Sequence, residues 1–346
     1  MKNNFAKECL DKVIKKARVH FYKPIQIAEI LYRDRIHKDI NLMDLDTYRI
    51  QSRKWRDIIC LEFLGRVSNS SIKYQDDLFN KSAVPPEAIY ELAKQNRKNN
   101  GIFEAYIYKK FFGKQSQMRS ALQYVEESGE NNFRLNEFMN LFWNEPGLRR
   151  SIDKIYEIVS YSLFSILVEI IEVEIEVSYN SDKRNILVEF EQFAKKVIGI
   201  DASREKFKMR AEINRVGVTN AADRGLDMYA NFGIAIQIKH LTLDEQLAEE
   251  ITSSVTSKSI VIVCKDSEEK IISSIINQLG PISRVKSIIT ENELIMWYNK
   301  ALNGQYSKQI ATRLLKRIND EIINEFPSSN NNLRDNFIEK RGYDIS

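Results

Sequence analysis

Asp227, Gln237 and Lys239 place an acid, an amide and an ammonium nine residues and then one residue apart. A carboxylate and an amide oxygen can ligate a hard cation, and a lysine beside them can hold a water for attack on a phosphodiester. The stretch 225–239 reads as a β-hairpin turning over Asn231, Phe232 and Gly233, a three-residue loop with glycine where φ must be positive. In that register Ala230 faces Ile234, Met228 faces Ile236 and Asp227 faces Gln237. Alternation then gives one apolar face of Leu226, Met228, Ala230, Ile234, Ile236 and Ile238. The other face carries Gly225, Asp227, Tyr229, Ala235, Gln237 and Lys239. Asp227 and Gln237 would sit about 5 Å apart at Cβ, with Lys239 roughly 7 Å further along the strand. Burial fixes the register, because a one-residue slip would turn the apolar row towards water. A solvated surface hairpin would carry the same residues, so the spacing alone does not decide the chemistry.

That spacing resembles the PD-(D/E)xK nuclease motif in the variant where glutamine replaces the second acid. Such a site needs oxygen ligands for Mg²⁺, which keeps several of its waters. Asp227 supplies a carboxylate, and the Ile238 carbonyl and the Gln237 amide supply neutral oxygens. Gln237 removes one negative charge, so a further acid is expected from the helix preceding the first strand. Glu157, within Lys154-Ile-Tyr-Glu-Ile-Val159, is the choice, and Asp153 one turn earlier is the alternative. Either acid is equally compatible with a plain solvated helix face. Lys239 would position the attacking water.

The elements that must carry these groups fall into two styles. Residues 1–147 read as mainly helical, with helices expected over 4–18, 25–35, 47–66 and 87–96, the last opened by Pro85-Pro86. Trp55, Ile58, Ile59, Phe63 and Leu64 form the expected apolar stripe of the third. Glu145-Pro146-Gly147 is the expected domain boundary. Residues 148–326 alternate between helix and strand. Helices are expected over 150–168, 189–197, 243–254 and 268–279, with two more up to Phe326. Strands are expected over 172–179, the hairpin, 259–264 and 283–290. The fold class is therefore α+β to α/β: a helical N-terminal region and a mixed-sheet core flanked by helices. Residues 327–346 read as a polar tail.

Composition bounds the rest. The chain has 346 residues, 43% hydrophobic and 29% charged, a globular composition. Three widely spaced cysteines and three histidines leave no zinc or disulfide pattern, which points to a reducing, cytoplasmic setting. The most apolar run, 158–177, contains four glutamates and is not a membrane span. Net charge is only +4, but the basic residues cluster. Arg49, Arg53, Lys54 and Arg56 surround Trp55, and residues 94–119 hold seven basic side chains against Glu104 alone, interleaved with Phe103, Tyr106, Tyr108, Phe111 and Phe112. Phosphate contacts from such residues would give salt-dependent DNA affinity. The alternative is a solvated helix face with the aromatics in the core. Ser70, Ser71 and Lys73 form a further candidate DNA contact.

Longer runs then sharpen the reading. The segments 16–20, 22–32 and 151–159, together with Arg215-Val-Gly-Val-Thr-Asn-Ala-Ala-Asp-Arg-Gly-Leu-Asp-Met228 and Arg341-Gly-Tyr-Asp-Ile345, resemble the HaeII-type type II restriction endonucleases over nearly the whole length. The resemblance implies Mg²⁺-dependent double-strand cuts in DNA at a short palindrome with a GCGC core, and a companion DNA methyltransferase. Two-fold protein symmetry would match such a two-fold site, so a homodimer is expected, and no membrane partner is. Asp227, Gln237 and Lys239 fall on the nuclease motif, while Glu157 has no role assigned by the family. Asn220, Asp223 and Arg224 precede the hairpin and are expected near the scissile phosphate. Gln237, and Leu226 where proline often stands, depart from the wider motif. The rival readings are a DNA-binding regulator with an inactive nuclease-like core, and an interaction protein whose basic faces are merely solvated.

Overall fold

A computed structural model describes residues 2–145, 148–216, 226–255, 257–267, 284–326 and 331–344. The expected helix over 268–279 and the residues Asn220, Asp223, Arg224 and Gly225 lie outside the described residues, as do Pro146 and Gly147.

The chain divides into two compact units, one formed by Met1–Ile158 together with Leu315–Ser346 and the other within Val159–Leu314. In the first unit α1 (Lys2–Lys16), α2 (Tyr22–Ile36) and α3 (Arg49–Leu64) are followed by the short α4 (Ile72–Asp76). Then come α5 (Pro86–Lys98), α6 (Ile102–Asn132), α7 (Leu135–Asn144) and the start of α8 (Ile152–Ile171). Proline at the first position of α5 preorganises its first turn, and the Ser71 hydroxyl caps α4 by accepting from Tyr74 N at 3.3 Å. α2 sits at the centre of the core, with Ile25, Ile27, Ile30 and Leu31 all buried. The aromatics of the basic stretch join it: Phe103, Tyr108, Phe111 and Phe112 are buried, so their periodicity reports core packing. In α3 the expected stripe is split. Ile59, Phe63 and Leu64 are buried, whereas Ile58 is exposed.

The segment expected as a polar tail contains α14 (Asn331–Arg341) and closes this core. Phe337 and Tyr343 are buried in it, because the residues between the polar ones are apolar at helical spacing. The Arg341 guanidinium reaches Glu29 at 3.0 Å and lies over the Tyr32 ring. Tyr343 Oη donates to Glu104 Oε2 at 2.8 Å, and Tyr108 Oη donates to Glu29 Oε1 at 2.6 Å. Glu29 and Glu104 are thus each met by a cation and a hydroxyl, and burial still raises the Glu29 carboxyl above its ordinary range, partly countered by Arg341.

The second unit is built on a mixed five-stranded sheet ordered β3-β4-β5-β6-β7. Its strands are β3 (Ile213–Arg215), β4 (Met228–Ala230), β5 (Ala235–Leu243), β6 (Ile260–Ser267) and β7 (Val285–Thr290). β3, β4 and β5 run antiparallel in turn, and β5, β6 and β7 are parallel. Ile260, Ile262, Val263 and Cys264 are fully buried, as a continuous apolar run in a central parallel strand should be. α11 (Glu245–Ser254), capped by Asp244 accepting from Leu247 N at 2.8 Å, packs Ala248 and Ile251 with Ala235, Ile262 and Cys264 on one face. The opposite face borders an apolar cavity of about 610 Å³ lined by Phe164 of α8, Ile236, Val261, Ile289 and Trp297. Trp297 belongs to α12 (Glu291–Asn303), which opens on a Thr290–Glu293 capping box; α13 (Ser307–Glu325) follows.

A satellite lies between α8 and β3. β1 (Glu174–Ser178) pairs antiparallel with β2 (Lys206–Arg210). Between them run α9 (Arg184–Glu189), α10 (Glu191–Phe193) and a π-helical turn, Ala194–Ile198. The single helix expected over 189–197 is thus longer and interrupted at Phe190.

Candidate active site

The hairpin forms in the expected register. Met228 pairs with Ile236 and Tyr229 with Ala235, and Gly233 takes φ 93°, a value open to glycine without strain. Asn231 ties the loop down, its side chain accepting from Glu212 N at 2.9 Å and donating to Arg210 O at 3.0 Å. The two faces are less distinct than expected. β5 is buried on both sides, and Leu226 packs against the Ala235 cluster rather than alongside Met228. It lies just before β4, where strand alternation no longer governs its direction.

Asp227 and Gln237 come together. Asp227 Oδ2 accepts from Gln237 Nε2 at 2.7 Å and from Ile238 N at 2.7 Å. Gln237 is 3% exposed, and its Oε1 has no hydrogen-bond partner among the described residues. Leaving a buried carbonyl oxygen unpaired costs about 1–3 kcal/mol. The amide is therefore held with its donor spent on the carboxylate and its acceptor idle. Among the described residues no three His, Cys, Asp or Glu side chains gather as a ready metal cage. The donor set here is one carboxylate, one idle amide oxygen and one strand carbonyl. Mg²⁺ accepts such hard oxygens and completes its octahedron with water, so these residues fit it better than zinc.

Lys239 shares a strand face with Gln237, is half-buried, and forms no ion pair with any described residue. Its cross-strand partner is Cys264, whose thiol burial pushes up to about 12, leaving a neutral neighbour. The next residue, His240, was not singled out from sequence. It is buried on the opposite face, with Glu291 Oε2 3.9 Å from its Nε2. Burial raises the Glu291 carboxyl above its ordinary range, partly countered by Lys265.

The remaining candidates sort by burial. Glu157 belongs to the first unit; it is buried, with Lys154 Nζ at 2.8 and 2.6 Å from its two oxygens, while Asp153 is exposed. Lys54 is exposed and Arg53 half-buried on α3. Arg56 departs from the surface cluster. It is 1% exposed, with its guanidinium bonded to Gln26, Asp57 and Gln75, because its helix position faces α2 and the core. Ser70 and Lys73 are exposed, and the Ser71 hydroxyl is used as the α4 cap. Asn220 and Arg224 lie outside the described residues. No helix among the described residues is long and apolar enough to cross a membrane.

Comparison with known proteins follows from this geometry. A family model described as HaeII restriction endonuclease matches residues 6–343. The chain is 56% identical over 338 residues to the type II restriction enzyme HaeII of Haemophilus aegyptius, covering 98% of this chain and 96% of that one. It is 55% identical over 345 residues to the type II restriction enzyme NgoBI of Neisseria gonorrhoeae, covering 99% and 97%. No solved structure matches.

Proposed function

The chain belongs to the HaeII restriction endonuclease family, and from that premise we propose that Asp227, Gln237, Ile238 and Lys239 form its Mg²⁺-dependent phosphodiesterase site. As a type II restriction endonuclease it is a site-specific deoxyribonuclease, and its substrate is double-stranded DNA. The finer reading is cleavage at a short palindrome with a GCGC core by a homodimer, one site for each strand. A companion methyltransferase protects the host's own copies of the site, and the setting is cytoplasmic.

The observation that carries the reading is the buried Gln237 Oε1, idle beside a carboxylate already fixed by two donors. Asp227, Gln237 and the Ile238 carbonyl would hold the cation. When bound, Mg²⁺ supplies Lewis-acid stabilisation of charge on the phosphate. The chain's own residues do the rest. The Gln237 amide and Ile238 N–H fix the Asp227 rotamer, and so the direction in which the carboxylate would meet the cation. The Lys239 ammonium has no carboxylate competing for it among the described residues. It can therefore hydrogen-bond the attacking water and stabilise the hydroxide character that develops on it. The exposed cations Lys54 and Lys73, with Arg53, are suited to phosphate contacts; Arg56 is not.

Incubation of the purified protein with unmethylated plasmid, in Mg²⁺ and separately in EDTA, tests this. Discrete Mg²⁺-dependent fragments whose sequenced ends share one palindrome are expected. Intact DNA under every divalent cation tried would leave the inactive-core reading standing instead.

A further inference from the structure

The connection from α3 into α4 is held in shape by a buried charge. Arg56 is 1% exposed, and its Nη2 donates to Gln75 Oε1 of α4 at 2.9 Å. The Gln75 amide in turn donates to Ser70 O at 2.6 Å, and Gln75 N donates to Ser71 O at 3.0 Å. At the start of the connection Tyr22 Oη donates to Val67 O at 3.3 Å. The segment is thus tied down at both ends, yet residues 69–74 are all exposed, Ile72 by 64% and Tyr74 by 58%. An exposed isoleucine is ordinary by itself. Here it stands on a segment that a buried guanidinium fixes from beneath, the way a rigid scaffold presents a binding loop.

We propose that residues 69–74 are the segment with which the chain reads its DNA site. Asn69 and Ile72 meet base edges in the major groove, Lys73 and Lys23 hold the flanking phosphates, and the Arg56–Gln75 contact positions the segment. Three observations favour it. The first is charge. Residues 69–74 contain Lys73 and no acid, whereas the loop between α2 and α3, residues 37–47, carries Asp39, Asp44 and Asp46 and would repel a polyanion. The second is side-chain chemistry. An asparagine amide can donate to and accept from one base edge, and a branched apolar side chain can pack on a thymine methyl. The third is the cation beneath. Lys23 Nζ lies 4.0 Å from the centroid of the Tyr74 ring. Burial lowers its pKa, Asp77 counters this, and Lys16 adds to it, so a phosphate beside Tyr74 would relieve two crowded ammonium groups.

The proposal rests on double-stranded DNA as the substrate and names the residues that choose the site within it. The test mixes the full chain, in Ca²⁺, with a pool of duplexes randomised over a central stretch, and sequences the duplexes that it retains. Far-UV circular dichroism verifies the folding of each variant. Wild type is expected to enrich one palindrome. Asn69→Ala and Ile72→Ala should each lower the preference for that palindrome over unselected DNA about tenfold or more, at particular base pairs. Lys73→Ala and Lys23→Ala should keep the motif, weaken binding to selected and unselected duplexes alike, and each lower the slope of log affinity against log salt by about 1. Gln75→Leu leaves Arg56 its Asp57 and Gln26 partners. It should relax the motif as the Asn69 and Ile72 variants do, with the salt slope unchanged. A motif unaltered in both Asn69→Ala and Ile72→Ala overturns the proposal, and so does a wild-type chain that enriches nothing. A motif unaltered in Gln75→Leu overturns the positioning role of Arg56. Because selection requires no cutting, a chain that enriches its palindrome through these residues yet never cleaves DNA refutes the nuclease reading and leaves the reading segment standing.

Discussion

Gln237→Glu puts the acid of the commoner motif into a position that this chain has built around an amide. Gln237 Nε2 now donates to Asp227 Oδ2 at 2.7 Å. The substitution exchanges that donor for an oxygen, so two carboxylates meet at about 3 Å in a site from which water is largely excluded. At an effective dielectric of about 20 the repulsion is about 5 kcal/mol, and a lost charge-assisted hydrogen bond adds about 1.5 kcal/mol. The pair escapes part of this by keeping a proton, so its upper pKa rises well above that of an unfolded glutamate. The sign follows directly. The folded variant binds more protons than the unfolded chain, so its stability falls as pH rises. The deficit is near zero below about pH 4, where the new carboxyl is protonated and can itself donate, and grows until the pair's upper pKa is passed. By pH 8 in EDTA it should reach about 4 kcal/mol. A divalent cation bound only by the folded chain offsets this, by about 2.7 kcal/mol at a hundred times its dissociation constant. Urea unfolding of wild type and variant at pH 5 and pH 8, with EDTA and with Mg²⁺, measures each quantity. Equal midpoints for the two proteins at pH 8 in EDTA would refute the reasoning, because the Asp227–Gln237 contact could then not exist as described.

Other outcomes are open to direct measurement. Asp227→Asn and Lys239→Ala should each reduce cleavage at least a hundredfold while a gel-shift assay in Ca²⁺ still detects specific binding; retained cutting by both would remove them from the site. Charge reversal at Arg53 and Lys54 should lower the slope of log affinity against log salt by up to about 2. Arg56→Ala should instead destabilise the fold, by about 3–5 kcal/mol, since it strips a buried guanidinium from Gln26, Asp57 and Gln75. His20 stacks on Tyr22 and hydrogen-bonds Glu325 O at 3.0 Å, and burial lowers its pKa to about 4. Its neutral form is favoured by folding, so its contribution is complete above pH 6.5 and is lost as pH falls towards 4, by up to about 3 kcal/mol. His20→Phe should flatten stability across that window, and a wild-type pH dependence in the variant would locate the transition elsewhere.

The hairpin was legible because two local signals agreed. An apolar alternation fixed the register, and a glycine fixed the turn. The apolar stretch 260–264 announced a buried strand in the same way: covered on both faces, it had no polar positions to keep. What sequence concealed was the neighbour of each side chain. Arg53, Lys54 and Arg56 look alike in a row of letters, but helical phase turns Arg56 inwards. Phe111 and Phe112 stand among basic residues in the sequence, and only the fold shows them buried in the core with Phe337. β2 and β3 escaped notice because a short, half-exposed strand of mixed polarity leaves no periodic trace. The idle oxygen of Gln237 could not be foreseen at all, since it depends on which end of an amide meets Asp227.

The closure of the first unit by Tyr343 and Arg341 has a consequence for the order of folding. Glu29 and Glu104 take partners that lie 312 and 239 residues away along the chain, and the same segment brings Phe337 into the core. Contacts so distant in sequence must draw in the intervening chain before they return any stabilisation, so they form late. The five-stranded sheet of the second unit closes over shorter spans, its neighbouring strands following one another in the chain. The sheet should therefore be in place before the helical core is sealed.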